Sequence, residues 1–74
     1  MTYKYKVILE KEEEGGYTAH VPALPGCHTQ GDDVQDALKN VREAIECYIE
    51  SLKMDGLPIP DGNEEMVFDI EVAA

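Results

Sequence analysis

Between Tyr3 and Glu10 the apolar residues fall on odd positions, Tyr3, Tyr5, Val7 and Leu9, with Lys4, Lys6 and Glu10 opposite. A period of two puts alternate side chains on one face, so this stretch reads as a half-buried strand. Ile8 is the one apolar residue on its polar side. Lys11 to Gly16 (KEEEGG) interrupts the pattern with like charges and paired glycines, as a hairpin loop does. Alternation resumes at Tyr17, Ala19 and Val21, with Thr18 and His20 turned the other way. The two strands are expected to pair antiparallel. Pro22 has no amide hydrogen to give to a ladder and should end the second strand. Pro25-Gly26 presets a tight turn, since proline holds φ at about −65° and glycine tolerates positive φ. Cys27 to Gln30 is then long enough for one short strand, which the chain leaves at Gly31.

From Val34 the period changes. Val34, Ala37, Leu38, Val41, Ala44, Ile45, Tyr48, Ile49 and Leu52 recur at spacings of three and four, the signature of one helical stripe. Asp33 followed by Asp36 resembles a capping box, and Gly56 with Pro58 and Pro60 beyond it marks a stop. The spacing predicts a helix over Val34 to Met54, roughly 32 Å long at about 1.5 Å per residue. Asp61 to Glu65 (DGNEE) reads as a loop. Met66, Phe68, Ile70 and Val72 then alternate with Val67, Asp69 and Glu71 in a last strand. A right-handed crossover after the helix would lay that strand parallel beside the first. The expected architecture is therefore α+β in the order β-β-β-α-β. It is a single domain over residues 1–74, with a mixed four-stranded sheet of order 3-2-1-4 and one long helix on one face.

Charge narrows the function classes. Sixteen acidic residues against six basic ones leave a net charge of −10. Nucleic-acid binding depends on neutralising phosphates with Lys and Arg, so this balance argues against it and suits a basic protein partner. The chain has no run approaching the ~20 apolar residues of a membrane span, and MTYKYKV carries no signal-peptide core. A cytoplasmic protein with reduced cysteines is expected. So small a domain has a limited core, and a homodimer or higher homo-oligomer is expected to extend it.

Candidate chemistry is sparse. Cys27-His28, with His20 and Cys47, would have to converge to hold zinc, yet the predicted elements scatter them and no Cys-x₂-Cys pair nucleates a site. A carboxylate-metal nuclease could be assembled on paper from Glu10, Glu43 and Asp69. Such a fold needs an inward acid in the middle of its first strand, where this chain has Val7-Ile8. No catalytic residue, metal or cofactor is assigned. The uncharged stretch VPALPGCHTQG, bordered by acids, reads instead as a shaped turn able to receive a basic protein. The residues assigned to partner binding are Pro22, Leu24, Pro25, Cys27 and His28 in the turn, and Glu12 and Glu13 in the hairpin loop.

The stretch from Gly16 to Pro60 carries a wider resemblance. Gly16-Tyr17, Ala19, Val21-Pro22, Leu24-Pro25-Gly26-Cys27, Thr29, Gly31, Asp36-Ala37, Asn40, Glu43-Ala44-Ile45, Gly56 and Ile59-Pro60 together resemble the N-terminal domain of HicB antitoxins. The resemblance implies a partial ribonuclease-H-like fold. It also implies a role in silencing HicA, a small basic ribonuclease that cuts messenger RNA. Many HicB proteins continue into a helix-turn-helix or ribbon-helix-helix module. This sequence reaches Ala74 without one, so direct DNA binding is not expected. Two other readings stay open: a solitary regulatory or structural oligomer without a toxin, and the carboxylate-metal enzyme.

Overall fold

A computed structural model describes residues 2–64 and 66–74. Three short strands, β1 (Ile8–Lys11), β2 (Tyr17–His20) and β3 (His28–Gly31), form an antiparallel sheet in the order β1-β2-β3. One helix, α1 (Val34–Met54), packs on β2 and β3, and a 3₁₀ turn follows at Gly62–Glu64. The fold is α+β with a three-stranded antiparallel sheet and one helix.

The hairpin closes where like charges and glycines break the alternation. Gly15 and Gly16 take φ of 104° and 83°, and the Glu12 and Gly15 amides bond to the Gly16 and Glu12 carbonyls at 3.0 and 3.1 Å. Ile8 lies opposite His20 and Lys11 opposite Tyr17, so Leu9 and Ala19 share the inner face. That face meets the helix. Ala19, Val21, Leu24, Cys27, Ala37 and Val41 are buried, and Val7, Leu9, Tyr17, Ala44, Ile45 and Tyr48 pack around them half-buried.

The helix has the bounds its periodicity predicts, and both caps are visible. The Asp36 amide donates to the Asp33 carboxylate at 2.7 Å, while the Asp36 carboxylate accepts from the Asp32 amide at 3.0 Å. The reciprocal bond of a capping box thus lands one residue upstream of the cap. At the other end Gly56, with φ of 67°, lets the Leu57 amide reach the Leu52 carbonyl at 2.9 Å and the Gly56 amide reach that of Lys53 at 3.2 Å. That pair of bonds is the Schellman motif.

The chain departs from expectation in four places. The first strand is shorter at its start, because register would set Lys6 against Pro22, where the chain already turns away into the loop. Residues 2–7 carry no ladder. Gly31 belongs to β3 rather than leaving it, and Gly62–Glu64 coils into a 3₁₀ turn where a plain loop was expected. The largest departure is the fourth strand. Met66 to Val72 forms no strand, and the order 3-2-1-4 is not observed among the described residues. Alternation supplies a strand's two faces but not the neighbouring edge that gives it hydrogen bonds, and in the single chain this segment pairs with none.

Candidate functional site

The loop between β2 and β3 is two turns in series. The Leu24 amide donates to the Val21 carbonyl at 3.1 Å, and the Cys27 amide donates to the Leu24 carbonyl at 2.9 Å. Proline follows the first residue of each turn, and Gly26, with φ of 80°, takes the position of the second turn that demands positive φ. A third bond, from the Val21 amide to the Cys27 carbonyl at 3.1 Å, closes the neck. Rigidity here follows from the covalent chemistry of proline and glycine together with these bonds.

This geometry sorts the turn residues by direction. Leu24 and Cys27 point into the core, at 0% and 6% exposure. Two residues assigned to partner binding are therefore supports beneath the surface, because the closed neck folds the middle of the loop back over Ala37 and Val41. Pro25 and His28 are exposed and Pro22 and Ala23 are half-buried, so they form the accessible side. Tyr48 fastens the loop to the helix, its hydroxyl donating to the Pro25 carbonyl at 2.9 Å. Asn40 does the same for β3 by donating from Nδ2 to the Gln30 carbonyl at 2.8 Å. Neither role is evident from periodicity. Tyr48 counts there as one more apolar member of the stripe, although a tyrosine hydroxyl in a half-buried stripe is a signal that a polar partner is near.

Glu12 and Glu13 lie elsewhere. They sit in the β1–β2 loop, beside the Lys11 and Gly31 end of the sheet, whereas the double turn leaves from the His20 and His28 end. Lys11, Glu12, Glu13, Glu14, Gly15, Thr18 and Gln30 line a shallow depression there. The Thr18 hydroxyl donates to the Glu12 carboxylate at 2.5 Å. The structure thus places the acids and the turn at opposite ends of one small sheet.

On the outer face His20 lies directly opposite His28, and His20 Nδ1 is 3.9 Å from the Glu10 carboxylate. Among the described residues no three His, Cys, Asp or Glu side chains converge as a metal would need. Both cysteines are free, Cys27 buried and Cys47 exposed. Burial pushes the Cys27 thiol above its ordinary pKa, which lowers its thiolate fraction at neutral pH. Iodoacetamide at pH 7.5 should therefore label Cys47 readily and Cys27 only after denaturation. Peptide mass mapping checks this, and equal labelling rates in the native protein would contradict it.

Comparison with known proteins assigns the class. The model of the HicB-like antitoxins of bacterial toxin–antitoxin systems matches residues 5–70, and the chain belongs to that family. It is 55% identical over 58 residues to a UPF0150 protein of Synechocystis, covering 78% of this chain and 73% of that one. A UPF0150 protein of Thermoplasma acidophilum is 53% identical over 64 residues, 86% of this chain and 93% of the relative. Antitoxin HicB 1 of Photorhabdus laumondii is 36% identical over 75 residues, which cover 96% of this chain but 48% of that longer protein. Membership of an antitoxin family favours a non-enzymatic role. Among the described residues no helix is long and apolar enough to cross a membrane.

Proposed function

We propose that this protein is the antitoxin of a type II toxin–antitoxin pair and neutralises a small, basic, HicA-like ribonuclease by covering it. The observation that carries the reading is the match to the antitoxin family over residues 5–70. The double turn lies inside that span, as do the acids of the hairpin loop. A net charge of −10 on a chain this small supplies long-range attraction for a basic partner. Pro22, Pro25 and His28 make the contact, Leu24 and Cys27 hold their shape from below, and Glu12 and Glu13 steer the approach. In this reading the protein acts as a homodimer, within the partial ribonuclease-H-like frame that the family resemblance implies.

The direct test uses the short basic reading frame expected beside this gene. Its product should cleave messenger RNA, and an equimolar amount of this protein should stop the cleavage. Full cleavage with this protein bound or absent alike would refute occlusion. Binding kinetics then separate the two groups of residues. Pro25→Glu with His28→Glu should raise the dissociation rate by roughly tenfold or more, since desolvated anchors carry most interface energy. Glu12→Lys with Glu13→Lys should mainly slow association and flatten its salt dependence, because exposed charge acts at long range and is screened. Identical kinetics for all three proteins would remove both regions from the interface.

A further inference from the structure

Segment 66–72 is the most exposed apolar stretch of the molecule. Met66, Phe68, Ile70 and Val72 are 73–82% exposed and Val67 58%. Soluble proteins seldom leave such a stretch uncovered. It also stretches the molecule: the radius of gyration is 14.0 Å and the longest extent 46 Å, whereas a compact chain of this length has a radius of about 11 Å. At the other end of the chain β1 is an edge strand, and residues 2–7 before it lack a ladder. The opposite edge is less open, since the Gln30 carbonyl on β3 is already bonded to Asn40.

We propose that segment 66–72 is an exchanged strand, pairing antiparallel with residues 3–9 of a second copy of this chain while the second copy reciprocates. One register matches the chemistry throughout. Phe68 opposite Val7 puts Ile70 beside Tyr5 and Met66 beside Leu9 on the core face. On the other face it sets Asp69 against Lys6 and Glu71 against Lys4. It also pairs Val67 with Ile8, the apolar residue that breaks the polar face of each segment. Three of the six basic residues, Lys4, Lys6 and Lys11, lie on this edge, so an acidic tail meets the most basic stretch of an acidic protein.

Reach rules out this antiparallel register within one chain, so the pairing that matches the chemistry needs another copy. Gly62 rests against the N-terminal segment: a Cβ there would overlap the Lys4 carbonyl oxygen and lie 2.6 Å from the Tyr5 ring. The Tyr5 hydroxyl also donates to the Pro60 carbonyl at 2.8 Å. Within one chain, Met66 would have to travel from Lys4 to Leu9, about 17 Å at ~3.3 Å per strand residue. Four residues span at most ~14 Å fully extended. Gly62–Glu64 is coiled at only ~2 Å per residue, which shortens the reach further. Between two copies no such limit applies, and a two-fold axis makes the exchange reciprocal.

Sedimentation of paired charge reversals tests the exchange. At about 10 mM salt, where screening extends to roughly 30 Å, the unaltered protein should sediment at twice 8.2 kDa. Lys4→Glu with Lys6→Glu, and separately Asp69→Lys with Glu71→Lys, should each weaken self-association at least about tenfold, because like charges then face each other. All four positions are exposed, so circular dichroism should show the helix intact in both variants. Mixed in equal amounts, the two variants should recover the dimer mass, since each basic segment now finds an acidic one on the other protein. A tail folded onto its own chain gives no recovery on mixing, because each variant repels itself, and that result overturns the proposal. A wild-type mass of 8.2 kDa, or variants that dimerise as tightly as wild type, overturns it equally.

Discussion

Leu24→Asp should unfold this protein rather than merely detach a partner from it. Leu24 is the largest fully buried side chain, closed beneath two hydrogen-bonded turns and surrounded by Val21, Cys27, Ala37 and Val41. Truncating such a leucine to alanine typically costs about 2–5 kcal/mol in transfer and cavity terms. Aspartate adds an unpaired charge with no basic residue among those core neighbours to offset it. A domain of this length has only about 4–11 kcal/mol of stability in all. Leu24→Ala should therefore lower the urea midpoint sharply, and Leu24→Asp should abolish the cooperative transition followed by far-ultraviolet circular dichroism. A folded Leu24→Asp protein with an unaltered midpoint would show that Leu24 is not where the core is. Pro25→Glu should lower the midpoint far less, costing about 0.4–1 kcal/mol for the lost φ constraint, because its ring is exposed and Tyr48 bonds only to its backbone carbonyl. That contrast separates the scaffold of the turn from its surface.

The second large effect is expected at Gly31. A Cβ placed there would overlap the Ala37 amide nitrogen and lie 2.7 Å from both the Ala37 Cα and the Asp36 carbonyl carbon. These are backbone atoms of the first helical turn, which Asp33 and Asp36 hold in place by their caps. No rotamer change relieves the clash, so the helix start must shift and the buried contacts of Ala37 and Val41 loosen. Overpacking ordinarily costs about 1–3 kcal/mol, occasionally more, and a clash with backbone should fall at or above the top of that range. Gly31→Ala should thus lower the urea midpoint markedly. Adding Ala37→Gly should not restore it, since the obstructing atoms remain. Full rescue by Ala37→Gly would mean that side chains, not the helix backbone, set the distance.

The candidate site was legible in the sequence as a shape but not as a direction. Pro25 followed by Gly26 specifies its turn through their own φ preferences, which need no neighbours. Which residues of that turn face solvent is settled by what lies underneath, and Leu24 and Cys27 differ from Pro25 only once the helix is in place. Tyr48 and Asn40 brace the turn and β3 across 23 and 10 residues of sequence, and periodicity cannot see hydrogen bonds of that kind. The separation of Glu12 and Glu13 from the turn has the same origin. Both flank β2 in sequence, and an antiparallel ladder sends its two connections to opposite ends.

The helix from Val34 to Met54 was determined by sequence alone, ends included, because a helix makes its hydrogen bonds and its caps within a few residues of itself. The hairpin between β1 and β2 was nearly so, its glycines and its period of two being local as well. A strand is different: half of its bonding belongs to another segment, which local sequence does not name. Tyr3 to Val7 and Met66 to Val72 both carry an unambiguous alternation, yet neither finds a ladder within the single chain. The tertiary structure decided that, by turning β2 away at Pro22 and by anchoring Gly62 against Lys4, too far from Leu9 for the tail to pair antiparallel with its own first strand.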